Sequence, residues 1–151
     1  MKHLRKILII AASLSSSYSF SNSDIVGQWR SIDDKTGFSK AIIEITQDAK
    51  GEYNGKIIDL TPRPGYTPKA HCDRCKGNEK NKPIVGLQIL KNMKRSTKNT
   101  LEFNEGTILD PLSGTQYRTT LRLNASGSRL SIRGFVGVEA LGRSQTWLRH
   151  N

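Results

Sequence analysis

Cys72 and Cys75 stand three residues apart in HCDRCKG and are the two cysteines of this 151-residue chain. Sulfurs at that spacing admit three chemistries. With Arg74 between them, a nearby cation would lower the thiol pKa and suit a redox dithiol. With His71 alongside, the pair could ligate a metal. The third reading is a structural disulfide closing a small loop. Zinc wants a second ligand pair, whereas the sequence has no second CxxC and no HxxxH, and adjacent His71 and Cys72 converge poorly on one ion. A redox pair is expected at a helix N-terminus, which the flanking Pro and Gly residues do not offer. The disulfide is therefore favoured, with metal second and redox third, and no cofactor is expected.

Lys76, Lys80, Lys82, Lys91, Lys94, Arg95 and Lys98 put seven cations into 23 positions, opposed by Glu79 alone. The run reads first as a solvated surface and second as a patch for phosphate or carboxylate polymers, such as an anionic envelope component. No aromatic side chain lies among them to stack on bases, so no specific nucleic-acid partner is expected. Signatures of catalysis are weak: there is no GxSxG, HExxH or phosphate loop. Beyond the first twenty residues the histidines are His71 and His150, one beside the cysteines and one near the terminus. Of Asp33, Asp34, Asp59, Glu102 and Asp110, most fall at turns or strand ends, where carboxylates cap or solvate. An enzyme ranks behind two binding readings.

These residues need a scaffold, and the leader must first be set aside. Lys2, Arg5 and Lys6 precede an apolar run from Ile7 to Leu14, then small residues to Ser23, in the order of a secretory signal peptide over residues 1–20. The leader holds three of the 24 basic and none of the 13 acidic residues, leaving a net charge of +8. An exported, periplasmic or secreted protein is expected, in a compartment that permits disulfides.

The remainder, 24–150, reads as one domain. Short stretches rich in β-branched residues alternate apolar and polar, and turn signals separate them at close spacing. In the returning strand of GTILDPLSGTQYRTTLRL, Tyr117, Thr119, Leu121 and Leu123 face one way and Arg118, Thr120 and Arg122 the other. Asp110, Pro111 and Gly114 supply the hairpin turn between its strands. Residues Ile84–Leu90 are expected to form a strand through Val85, Leu87 and Ile89. No helical period follows the leader. The expectation is an all-β, antiparallel up-and-down barrel of about eight strands.

If that barrel closes, Trp29 on the first strand and Trp147 on the last are neighbours, with Arg30, Arg143 and Arg149 near aromatic faces. A packing plug is favoured over a ligand pocket there. Gly27-Gln28-Trp29 with an Arg near the C-terminus resembles the GxW and closing Arg of lipocalins. The ordered set DIVGQW, CDRCKG, NKPIVGLQIL, GTILDPLSGTQY and LSIRGFVGVEALGRSQTW is similar to the exported bacterial domain-of-unknown-function family 2147. That resemblance implies a lipocalin-like, calycin-like fold and brings no activity with it. The leading function is binding of a small hydrophobic or amphipathic ligand. Trp29, Ile43, Ile45, Tyr53, Ile57, Tyr117, Leu121 and Ile132 are the candidate barrel lining. The alternative is a filled barrel whose basic surface meets an anionic envelope component or another polyanion.

Overall fold

A computed structural model describes residues 24–151, which close into one barrel of eight antiparallel strands. The leader expected over residues 1–20 lies outside the described residues. In chain order the strands are β1 (Gly27–Ile32), β2 (Ser39–Gln47), β3 (Tyr53–Leu60), β4 (Gln88–Arg95), β5 (Glu102–Asp110), β6 (Thr115–Leu123), β7 (Arg129–Phe135) and β8 (Arg143–His150). Each pairs with the next. Strand β8 returns to β1, with Trp29 opposite Arg149 and Ser31 opposite Trp147. Closure leaves no unpaired edge, which is why many short strands can persist in so small a domain.

Alternation sets the faces, and bulges reset them. Tyr53, Gly55 and Ile57 of β3 are buried in the barrel. Ile58 is then an extra residue between the pairs Ile43–Ile57 and Ile42–Asp59, so the phase flips and Leu60 also faces the interior. Lys40 is likewise extra between the pairs Ser31–Ala41 and Ile32–Ser39. On β5, Glu105 takes a positive φ of 65° within the irregular step from Phe103 to Gly106. A Cβ on Gly106 would collide with Met93 and with the Lys91 carbonyl, so this position cannot carry a side chain.

The expected strand over Ile84–Leu90 is corrected: β4 begins at Gln88. Pro83 lacks an N–H, and Gly86 at φ 91° turns the chain, with Leu87 N donating to Ile84 O at 3.1 Å. Val85 is consequently exposed, while Ile84 and Leu87 are buried. Gly86 N donates to Ile57 O, and Ile57 N to Leu87 O, which fastens the turn to β3.

The long β3–β4 connection is held at three places. Cys72 and Cys75 form a disulfide, and Cys72 Sγ lies 3.2 Å from the Pro111 carbonyl on the β5–β6 hairpin. The arms around the disulfide pair through Cys72 N to Lys82 O and Ile84 N to Ala70 O, each 2.9 Å. Gly114, at φ 71°, sits so close that a Cβ would overlap the Arg74 backbone. The hairpin has the chemistry read from its sequence: the Asp110 carboxylate accepts from Leu112 N at 2.9 Å and Ser113 Oγ at 2.8 Å, while Gly114 N donates to Asp110 O.

Because the strands alternate in direction, the β1–β2, β3–β4, β5–β6 and β7–β8 loops gather at one end. The other three loops and residues 24–26 gather at the opposite end. The two ends differ in what fills them.

Candidate ligand cavity

At the end bearing residues 24–26 the interior is packed. Ile25, Trp29, Ile45, Tyr53, Met93, Phe103, Leu121 and Leu130 are at most 2% exposed. Trp29 donates from Nε1 to Ile25 O at 2.8 Å, satisfying the indole. The Arg149 guanidinium lies 4.3 Å from the Trp29 ring centroid and donates to Asp24 O, Gly127 O and Val26 O. It thereby ties β8, the segment leading into β1 and the β6–β7 turn together across the base. Burial pushes the Arg149 pKa down and the Asp24 charge opposes that shift; a guanidinium stays charged regardless. Arg95 adds a second lock, pairing with Asp24 at 2.9 Å and lying 4.7 Å over Phe103, whose ring meets Tyr53 nearly at right angles.

The opposite end is open. A cavity of about 570 Å³ runs into the barrel there. Its wall is built from Ile43, Ile57, Leu60, Ile89, Ile108, Leu109, Tyr117, Ile132, Phe135 and Trp147, with Ser31 and Gln145 as polar interruptions and Lys40, Lys69, Asp110 and Arg143 among its charged members. Small inward residues create the space: Ser31 follows Trp29 by two on β1, and Gly134 follows Ile132 by two on β7. A Cβ on Gly134 would meet Tyr117 and Ile108 at 3.5–3.6 Å, so this glycine is not forced by crowding.

Of the eight residues expected to line the barrel, Ile43, Ile57, Tyr117 and Ile132 reach the cavity. Trp29, Ile45, Tyr53 and Leu121 lie in the packed half instead. The boundary passes through the ladder, since Trp29 pairs with Ile43 and Leu121 with Ile132. An inward phase marks a residue as interior but says nothing about which half it occupies.

Trp147 departs from the plug expected of it. It is 1% exposed, its ring belongs to the cavity wall, and its Nε1 has no hydrogen-bond partner among the described residues. A buried N–H without an acceptor costs about 1–3 kcal/mol. Arg143 reaches the cavity rather than the Trp29 plug, and Arg30 is exposed on β1.

The seven cations of the 76–98 run do not form one surface. Lys76, Lys80 and Lys82 belong to the β3–β4 loop at the open end, Lys91, Lys94 and Arg95 to β4, and Lys98 to the β4–β5 loop at the packed end. Lys91 pairs with Glu79 at 2.6 Å and Lys94 with Glu105 at 3.0 Å. The Lys91 hydrogen bond and charge hold the Glu79 carboxyl below its ordinary value, and Glu105 raises the Lys94 pKa. Arg95 is corrected from a displayed charge to a half-buried one, because stacking on Phe103 and pairing with Asp24 draw it into the base.

The family model described as "Uncharacterized protein conserved in bacteria (DUF2147)" matches residues 27–149. The chain belongs to this family. No curated protein matches it. Among solved structures, it is similar to protein HP1028 from the human pathogen Helicobacter pylori, which is described as belonging to the lipocalin family. The TM-score is 0.69 at 16% identity, over 85% of this chain and 84% of that one. The DUF2147 domain described here is thus lipocalin-like in fold.

Proposed function

We propose that this DUF2147 protein binds a small hydrophobic or amphipathic molecule inside its barrel. The apolar body lies against Ile43, Ile57, Ile108 and Ile132, and a polar end turns toward Lys40 and Arg143. The observation that carries this reading is the apolar-walled cavity of about 570 Å³ at the open end, within the range of roughly 300–1,000 Å³ usual for small-molecule sites. The lipocalin-like fold supports a barrel of this use. The leader sequence and the disulfide support export, so the cargo is met outside the cytoplasm.

Native mass spectrometry of protein exported by its own leader tests both parts. A mass cut near residue 20, carrying a discrete adduct that is lost on denaturation, is the expected result. Gly134→Leu, which projects a side chain into the cavity, abolishes the adduct and uptake of an amphipathic fluorescent probe such as an anilinonaphthalene sulfonate. A bare protein that also takes up no probe overturns the cavity reading, and an uncut leader overturns export.

A further inference from the structure

The open end is also where the molecule shows its apolar side chains to solvent. Eight large apolar residues are exposed among the described residues, and six of them stand around the cavity mouth. Tyr66, Leu112, Val136 and Leu141 belong to the cavity wall itself. Phe38 joins them through Arg63, whose guanidinium lies 5.4 Å from the Phe38 ring and 5.0 Å from the Tyr66 ring. Val138 lies between Val136 and Leu141 in the β7–β8 loop. All four loops of this end contribute, and the most exposed members, Leu141 at 82% and Val136 at 72%, both lie in the β7–β8 loop. At the packed end the corresponding exposed residue is Val26, and Val85 lies beside β3.

Exposed apolar residues scattered singly need no explanation, but a cluster rimmed by charge marks an interaction surface. Here the cluster is a ring around a hole, carried on separate loop tips. A rigid, flat partner would touch the tips and span the opening, whereas a fluid apolar phase fills between them. The charges around the ring favour an anionic partner. Arg63 and Lys69 lie on the same loops, and Lys40 and Arg143 at the adjoining strand ends. Asp33, Asp34 and Asp110 remain charged at this end, Asp33 and Asp110 bonded to their own turns, and Asp73 takes up Lys69 at 2.8 Å, which leaves Lys40, Arg63 and Arg143 as the rim cations. The net charge of +8 beyond the leader adds long-range attraction to a negative surface.

We propose that the open end docks on an anionic lipid bilayer, with the apolar ring in the interfacial layer, the rim cations at lipid phosphates and the cavity mouth facing the membrane. Arg63 between two aromatic rings suits that depth, where amphipathic side chains keep an apolar body buried and a polar tip wet. The docking does not require an occupied cavity.

Flotation of the purified protein with vesicles of phosphatidylcholine alone or mixed with phosphatidylglycerol tests it. The protein should float with the mixed vesicles and weakly with the neutral ones. Val136→Ser with Leu141→Ser should lower the partition by about tenfold, and Val26→Ser at the packed end should leave it unchanged, with urea midpoints confirming that all three proteins are folded. No flotation at low salt overturns the proposal. So does flotation that the ring variant retains, which would assign binding to charge on the barrel wall. Self-association lost in the ring variant without any flotation would assign the ring to a second copy of the chain and also overturn it. Gly134→Leu separates the two readings: it empties the cavity of cargo and leaves flotation intact.

Discussion

One ladder of strands runs through both ends of this barrel, yet one end is solid and the other hollow. At the solid end the inward positions carry Trp29, Tyr53, Met93 and Phe103, all at most 2% exposed. At the hollow end the inward positions include Ser31, one step beyond Trp29 on β1, and Gly134, one step beyond Ile132 on β7. The ladder is also shorter toward the hollow end: β3–β4 pairing stops at Lys56 with Gln88, and β1–β8 pairing stops at Ser31 with Trp147. Small side chains at a few inward positions, Ser31 and Gly134 among them, add to that opening. Arg149 reinforces the contrast, since it crosses the base to the carbonyls of Asp24, Val26 and Gly127, while no comparable strap crosses the mouth among the described residues.

Truncations at matched inward positions are the strongest way to break this contrast. Trp29→Ala removes a fully buried indole, its bond to Ile25 and the surface on which Arg149 stacks, and is expected to cost about 3–5 kcal/mol in urea unfolding. Tyr117→Ala at the half-buried cavity wall is expected to cost about 1–2 kcal/mol, because space already lies beside it. Equal losses would mean the two halves are packed alike. Next in size is the staple at the mouth: Cys72→Ser with Cys75→Ser should lower stability by about 2 kcal/mol, the chain-entropy value for so short a loop. Hydrogen exchange should locate the change in the β3–β4 loop and the Asp110–Gly114 hairpin, leaving the base protected.

The smallest effect concerns the Glu79–Lys91 pair. Its carboxyl is held below the ordinary value of 4.5 by Lys91. A depressed carboxyl gives stability that is present above the unfolded-state pKa and is lost as the pH falls through the folded-state value. The difference in urea midpoint between wild type and Glu79→Gln should therefore exist near about pH 6 and shrink as the pH falls below the ordinary carboxyl range. A difference that persists in acid would show that Glu79 acts through packing and not through its charge.

Much of this was legible in the chain. The β-branched alternation and the Asp110-Pro111…Gly114 turn specify strands and a hairpin through rules that reach only a few residues, and both stand as read. The CxxC spacing without a second ligand pair favours a Cys72–Cys75 disulfide over metal and redox chemistry, and the disulfide is present. Where non-local bonds intervene, local rules misled. The apolar run Ile84–Leu90 has a strand's pattern, but Gly86 and Leu87 bond to Ile57 and turn the chain. The basic run reads as one surface along the sequence, whereas the fold spreads it from mouth to base and pulls Arg95 inward. Ser31 and Gly134 carried the signal for the cavity: small residues two positions beyond Trp29 and Ile132.

By itself the sequence determined the all-β class, the strand order and the inward phase of most strands, because period-two burial and turn chemistry are local properties. Bulges had to be seen in register, since the extra residues Lys40 and Ile58 shift a face only relative to a partner strand. Tertiary structure alone decided that Trp29 belongs to the base and Trp147 to the cavity wall, and that exposed Phe38, Tyr66, Leu112 and Leu141 share one rim. Those assignments depend on how volumes and loops from distant segments meet when the barrel closes, and no local pattern encodes that sum.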